Sequence, residues 1–82
     1  MTHDEAVDAV KRVLTEIVPD ADFTAIGPDA RFRDALELDS LDFLNFVERL
    51  SELTGCRIDE YDYSRLVTLE SSAAFLVERA GA

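Results

Sequence analysis

A helix begins within the stretch Leu36-Glu37-Leu38-Asp39-Ser40-Leu41-Asp42, where a long polar connection gives way to apolar residues at helical spacing. The residues at three-residue steps predict the buried face of this helix: Leu41, Leu44, Val47, Leu50 and Leu53. The helix should extend from about Ser40 to Leu53, with Asp39 or Ser40 as its N-cap. Ser40 therefore lies at a helix N-terminus, where free N–H groups and the positive dipole end favour a bound phosphate.

A first helix and a long connection precede this stretch. Thr2 and Glu5 fit a capping box, and Pro19 ends the helix because the residue before a proline is disfavoured in helical conformation. The connection over 19–39 is long for a small domain, and such loops are usually functional. Its apolar residues predict packing across the helices: Phe23, Ile26, Phe32, Leu36 and Leu38. Phe32 and Leu36 have the spacing of a single helical turn, so a short helix is expected there.

Two further helical segments follow. Gly55 is the expected C-cap of the helix that starts at Ser40, and the stretch 57–63 is long enough only for a single helical turn. Thr68 should cap a last helix, which Gly81 closes. The sequence predicts an all-α fold, a four-helix bundle with a short third helix and a long loop between helices 1 and 2, as one domain over residues 1–82.

The composition excludes several classes of function. The chain has 82 residues and a net charge of −10, which would repel DNA and RNA and favour partners with basic surfaces. The single Cys56 allows no intrachain disulfide, and no apolar run approaches the length of a membrane span. We therefore expect a cytoplasmic monomer that does not bind nucleic acid and does not span a membrane.

Catalysis and metal binding by this chain are not expected. His3 is the only histidine and is remote in sequence from Ser40, so no Ser-His pair is evident. The sequence contains no Cys/His cluster with the spacing of a zinc site. We therefore predict that the protein is not an enzyme and holds no metal.

The order of these motifs resembles that of acyl carrier proteins. The stretch 32–42, Phe-Arg-Asp-Ala-Leu-Glu-Leu-Asp-Ser-Leu-Asp, looks like the family's loop Phe-x-x-Asp-Leu-Gly-x-Asp-Ser-Leu-Asp. Downstream, 55–58 resembles the Gly-x-x-Ile before the family's third helix, and 68–71 resembles the Thr-Leu start of its fourth. The resemblance covers nearly the whole chain and has the motifs in the right order.

The resemblance implies a covalent cofactor and a carrier function. Ser40 would receive 4′-phosphopantetheine from coenzyme A by the action of a phosphopantetheinyl transferase, and Asp39 would help position that enzyme's metal and the cofactor phosphate. The arm would hold acyl groups as thioesters for acyl-loading and acyl-transferring enzymes of fatty acid, lipid or polyketide-type synthesis. These enzymes would dock through basic patches.

The resemblance also implies two surfaces. The partner-binding surface would consist of Leu41, Asp42, Asn45, Glu48, Arg49 and Glu52. An acyl chain could be sheltered between the second helix and the last two, although a role as ordinary core is favoured for all the candidate lining residues: Phe46, Val47, Leu50, Ile58, Leu66 and Leu69.

The sequence departs from the family pattern at Glu37, where glycine is usual. If that backbone has positive φ, the glutamate costs on the order of 1 kcal/mol. Asn45 and Arg49 make the docking helix less acidic than is common in the family, which suggests a specialised member. A start at Met1 and an end just after the last helix predict a freestanding carrier. Two alternatives stay open: a peptidyl or aminoacyl carrier, although Glu37-Leu38 does not match the usual Gly-Gly, and an unmodified acidic helical adaptor.

Overall fold

A computed structural model describes residues 1–80, and the expected helix end at Gly81 lies outside them. The elements in chain order are α1 (His3–Ile17), α2 (Phe32–Ala35), α3 (Ser40–Thr54), a 3-10 helix (Glu60–Arg65) and α4 (Leu69–Ala80). The all-α prediction is confirmed. The 3-10 helix is the short third helix of the prediction, and α2 is the helical turn expected within the long connection.

The first helix begins where the capping box places it. The Thr2 hydroxyl accepts the Glu5 N–H at 3.1 Å, and the Glu5 carboxylate accepts the Thr2 N–H at 2.8 Å. This backbone hydrogen bond from Thr2 lowers the pKa of Glu5. The buried face of α1 packs against both α3 and α4 and consists of Ala6, Val10, Val13 and Leu14.

The predicted apolar face of α3 is partly wrong. Leu41 is 66% exposed and Leu44 is 46% exposed, whereas Phe43, Phe46, Val47 and Leu50 are buried. A helix has 3.6 residues per turn, so each three-residue step falls about 60° short of a full turn and such a stripe winds away from the core. The two phenylalanines continue the buried face because they lie at the four- and seven-residue spacing from Val47 and Leu50 that one helix face requires.

The long connection is packed across the bundle, as predicted. The Phe32 side chain is fully buried, and its ring centroid lies 5.2 Å from that of Phe46 on α3. Backbone hydrogen bonds join the connection to the far end of the chain, from the Phe32 N–H to the Val67 carbonyl and from the Glu70 N–H to the Pro28 carbonyl. The buried ring and these hydrogen bonds thus hold the segment that precedes α3 against the rest of the bundle.

The start of α4 contains one serine that is well bonded and one that is not. The Thr68 hydroxyl accepts the Ser71 N–H at 2.9 Å, so Thr68 caps the helix as predicted. The Ser71 hydroxyl donates to the Arg65 carbonyl at 2.7 Å. The Ser72 hydroxyl is fully buried and has no hydrogen-bond partner among the described residues.

We predict that Ser72→Ala raises the free energy of unfolding by about 1 kcal/mol, because it removes an unsatisfied buried hydroxyl and favours the helix. The matched control is Ser71→Ala, which should lower the same quantity by about 1 kcal/mol because the Arg65 carbonyl loses its donor. Urea denaturation followed by circular dichroism measures both. Destabilisation by Ser72→Ala would show that its hydroxyl is satisfied in solution.

Candidate functional site

The N-terminus of α3 is capped by Asp39 and not by Ser40. The Asp39 Oδ1 atom accepts the Asp42 N–H at 2.8 Å, and the Asp42 carboxylate accepts the Asp39 N–H at 3.4 Å. Ser40 is the first residue of the helix and is exposed. Because Asp39 provides the cap, the Ser40 hydroxyl is not used to satisfy the backbone of its own helix.

The turn before Asp39 reverses the chain through a strained residue. The Glu37 N–H bonds to the Asp34 carbonyl at 3.2 Å and the Leu38 N–H to the Arg33 carbonyl at 2.9 Å, the pair of bonds that defines a Schellman motif at the end of α2. That motif needs a left-handed residue, and Glu37 has φ +54°. The positive φ anticipated at this departure from the family pattern is therefore present.

Arg33 lies beside Ser40, and no sequence pattern had predicted it as a site residue. Its Nη2 atom is 3.4 Å from the Ser40 Oγ atom, its Nε atom donates to the Leu38 carbonyl at 3.4 Å, and its guanidinium lies over the Phe43 ring at 5.1 Å. The separation of seven residues from Ser40 gave no signal, because only the turn at Glu37 brings the two side chains together.

A cleft of about 350 Å³ opens next to Arg33. Arg31 and Arg33 line one side, while Phe43 and Tyr63 meet edge to face with ring centroids 5.4 Å apart. Arg33 thus borders both the cleft and Ser40.

The 3-10 helix, which contributes Tyr63 and Ser64 to the cleft, forms an ion pair with α4. Asp62 receives hydrogen bonds from Arg79 at 2.9 and 3.2 Å. The Asp59 N–H, and after it the Arg79 guanidinium, lower the pKa of the Asp62 carboxyl, so it stays ionised to a lower pH than an ordinary Asp side chain. Tyr63, the residue after Asp62, is held beside Phe43 by this arrangement.

The predicted acyl-pocket residues lie mainly in the core. Phe46, Val47, Leu50, Leu66 and Leu69 are buried, and Ile58 is half-buried and packs against the same core. Of these six, Leu66 lines the cleft. The structure brings the set together as packed side chains.

The predicted partner surface lies along the outer side of α3. Its members Leu41, Asn45, Glu48 and Glu52 are exposed, whereas Asp42 and Arg49 are half-buried. Arg49 does not present a free positive charge, since it pairs with Glu16 of α1 at 2.8 Å and with Glu52 at 3.6 Å. Exposed Leu44 joins this surface, which sequence reasoning had assigned to the core.

The site suits a covalently attached phosphate group better than it suits a metal. The exposed Ser40 hydroxyl lies at the positive end of a 15-residue helix and within reach of one guanidinium, and both favour an anionic substituent. Within residues 1–80 the structure contains no group of three His, Cys, Asp or Glu side chains arranged to hold a metal ion. None of the helices in that part of the chain is long and apolar enough to cross a membrane.

An exposed serine at a helix N-terminus of a helical bundle is the arrangement that the resemblance to acyl carrier proteins implies. The family model described as "Phosphopantetheine attachment site" matches residues 5–76. The chain therefore belongs to the acyl carrier protein family, whose cofactor is covalently attached 4′-phosphopantetheine and whose members are carriers and not catalysts.

Curated relatives agree with the family model. The chain is 27% identical to the acyl carrier protein of Rubrobacter xylanophilus over 78 residues, 95% of each chain. It is 30% identical to that of Streptomyces coelicolor over 78 residues, covering 95% of this chain and 85% of the relative. It is 28% identical to that of Solidesulfovibrio magneticus over 76 residues, covering 89% and 97%.

The left-handed turn at Glu37 has a measurable cost. We predict that Glu37→Gly is more stable to urea than Glu37→Ala by about 0.5–1 kcal/mol, because glycine adopts positive φ without a Cβ clash while its extra unfolded-state entropy offsets part of the gain. Alanine is the matched control, since it removes the same carboxylate and keeps the strain. Equal stability of the two variants would contradict the left-handed conformation at this position.

Proposed function

We propose that residues 1–82 act as one carrier domain, in which Ser40 is the attachment site of 4′-phosphopantetheine. The observation that carries the proposal is the exposed Ser40 hydroxyl at the first position of α3, left free by the Asp39 cap. A buried hydroxyl could not enter the active site of a modifying enzyme, and a capping hydroxyl would first have to give up its hydrogen bond to the helix backbone. The role is that of a tether for acyl intermediates in fatty acid, lipid or polyketide-type synthesis.

Asp39 has two tasks in this proposal. One carboxylate oxygen, Oδ1, fixes the start of α3 through the Asp42 N–H. The other oxygen is then available to the divalent metal of a phosphopantetheinyl transferase, next to the serine that receives the cofactor. The cap thus holds the carboxylate and the hydroxyl on adjacent residues in a fixed relative orientation.

The chain itself contributes position and exposure. When bound, phosphopantetheine supplies a terminal thiol that carries an acyl group as a thioester. Ser40 holds the base of that flexible arm at one end of the bundle, which raises the effective concentration of cargo at any enzyme docked on the chain. The tether would thereby replace diffusion of free acyl intermediates between successive enzymes.

The outer side of α3 is the proposed docking surface for those enzymes. Exposed Leu41 and Leu44 offer an apolar centre, and Asp42, Glu48 and Glu52 surround it with negative charge. Apolar contact at the centre and complementary charge at the rim are what transient protein interfaces use. A basic patch around an apolar pocket is therefore the expected partner surface.

The acyl chain would be sheltered among the residues between α3 and the last two helical segments. The support is that Leu66 belongs both to the cleft beside Arg33 and to the buried core that contains Phe46 and Leu50. An acyl chain that entered at the cleft would meet Leu66 first, and core side chains would have to move apart only if it went deeper. The bulky Phe43 and Phe46 leave less room here than smaller residues would, which favours a dedicated cargo and partner set.

We predict that incubation with coenzyme A, magnesium and a promiscuous phosphopantetheinyl transferase adds one phosphopantetheine to the chain, and that Ser40→Ala adds none. Intact-protein mass spectrometry measures the addition. Because Ser40 makes no cap, its replacement should leave the circular dichroism spectrum and the urea midpoint nearly unchanged. The adaptor alternative gains support if the folded wild-type chain accepts no cofactor from several transferases.

We predict that Glu48→Lys raises the KM of the transferase for this chain several-fold, since it reverses a charge on the docking surface. Asp8→Lys is the matched control: it makes the same change in net charge at an exposed position of α1, and its KM should stay within twofold of wild type. Steady-state kinetics at low and high salt measure both. Equal effects of the two substitutions would mean that net charge, and not this surface, governs docking.

A further inference from the structure

We propose that Arg33 binds the phosphate that links the pantetheine arm to Ser40 and thereby positions the base of the arm. The inference rests on the proposed function, because it needs the phosphate to be attached at Ser40. Arg33 would be a positioning residue: it would contact the phosphate after attachment and would take no part in the transfer of the cofactor to Ser40.

The distance between the two side chains carries the proposal. The Arg33 Nη2 atom lies 3.4 Å from the Ser40 Oγ atom, which is the atom that bonds directly to phosphorus in a phosphoserine diester. The anionic oxygens on that phosphorus lie two bonds beyond Oγ, so the guanidinium can reach one of them with a small movement of its side chain. A contact with a neutral hydroxyl at the edge of hydrogen-bond distance would be replaced by an ion pair with a negatively charged oxygen.

The positive charge of Arg33 is not already used by a carboxylate. Four other arginines each form an ion pair with an acidic side chain: Arg49, Arg57, Arg65 and Arg79. In residues 1–80, no Asp or Glu oxygen lies within ion-pair distance of Arg33. In a chain of net charge −10, an arginine that has no carboxylate oxygen within ion-pair distance among the described residues and that lies beside Ser40 is available to an anionic ligand.

The guanidinium is also held in orientation before the ligand arrives. Its Cζ atom lies over the Phe43 ring, 5.1 Å from the centroid, and its Nε atom donates to the Leu38 carbonyl. An arginine held by a cation–π contact and a backbone hydrogen bond loses less conformational freedom on binding than a free surface side chain. Arg33 also lines the cleft, so a phosphate held there would start the arm on the cleft side of α3.

A thermodynamic cycle tests the contact directly. The free energy of unfolding is measured by urea for the unmodified and the phosphopantetheine-bearing forms of wild type, Arg33→Ala and Arg33→Lys. In wild type, we expect attachment to lower the equilibrium constant for unfolding roughly two- to fivefold, the range typical of an exposed charge contact. This gain should be smaller in Arg33→Ala, where the N-terminus of α3 alone stabilises the phosphate, and partly restored in Arg33→Lys, which keeps the charge without the planar fork.

Arg31→Ala is the matched control. Arg31 lines the same cleft and carries the same charge, but it has no hydrogen bond to Ser40 in the part of the chain that the structure describes. The gain on attachment should survive in this variant. The proposal is overturned if Arg33→Ala retains the whole gain, if Arg31→Ala reduces it as much as Arg33→Ala does, or if wild type has none.

A spectroscopic readout and a mass measurement separate this proposal from the one it rests on. In ¹⁵N-arginine-labelled protein, the Arg33 Nε–H resonance should shift on modification by more than that of Arg31. A chain that accepts no phosphopantetheine at Ser40 contradicts the proposed function itself. A chain that accepts it with unchanged Arg33 signals and no stability gain contradicts only the role of Arg33.

Discussion

The burial of the Phe32 ring against Phe46 is the contact on which the site depends. Burying such a ring contributes about 1.5–3 kcal/mol, which offsets part of the conformational entropy lost when the long connection between α1 and α3 becomes ordered. That is a substantial share of the 5–15 kcal/mol by which small domains are stable. Because Phe32 is the first residue of α2, this contact also positions the residues that link α2 to α3.

The chain downstream of Phe32 is then determined by local hydrogen bonding. The Schellman motif at the end of α2 places Glu37 in the left-handed region and returns the chain so that Leu38 is buried. Asp39 caps α3 and leaves Ser40 exposed. The strain at Glu37 and the presentation of Ser40 are consequences of the same turn, which also places Arg33 beside the serine.

Sequence patterns predicted the features that depend on neighbours in the chain. The capping box at Thr2, the helix end at Gly55 and the helical turn at Phe32 each follow from residue type and spacing. The resemblance to the carrier family pointed to Ser40 and to the cost of Glu37.

The sequence predicted less well where long-range packing decides. The three-residue leucine pattern misassigned Leu44, because three-residue steps wind away from the buried face of α3, on which Phe43 and Phe46 lie. Leu41, which the sequence left open between core and partner contact, is exposed. Arg33 could not be paired with Ser40 from spacing alone. The compensation of Arg49 by Glu16 likewise depends on the packing of α1 against α3.

The central claim is that Ser40 carries the phosphopantetheine arm, and peptide-level tandem mass spectrometry of the modified, trypsin-digested protein tests it most directly. Cleavage after Arg33 and Arg49 gives the peptide 34–49, in which Ser40 is the only side chain with a hydroxyl group. The account predicts the added phosphopantetheine on this peptide and on no other. Its presence on a peptide containing Ser51, Ser64 or Ser71 instead would contradict the account.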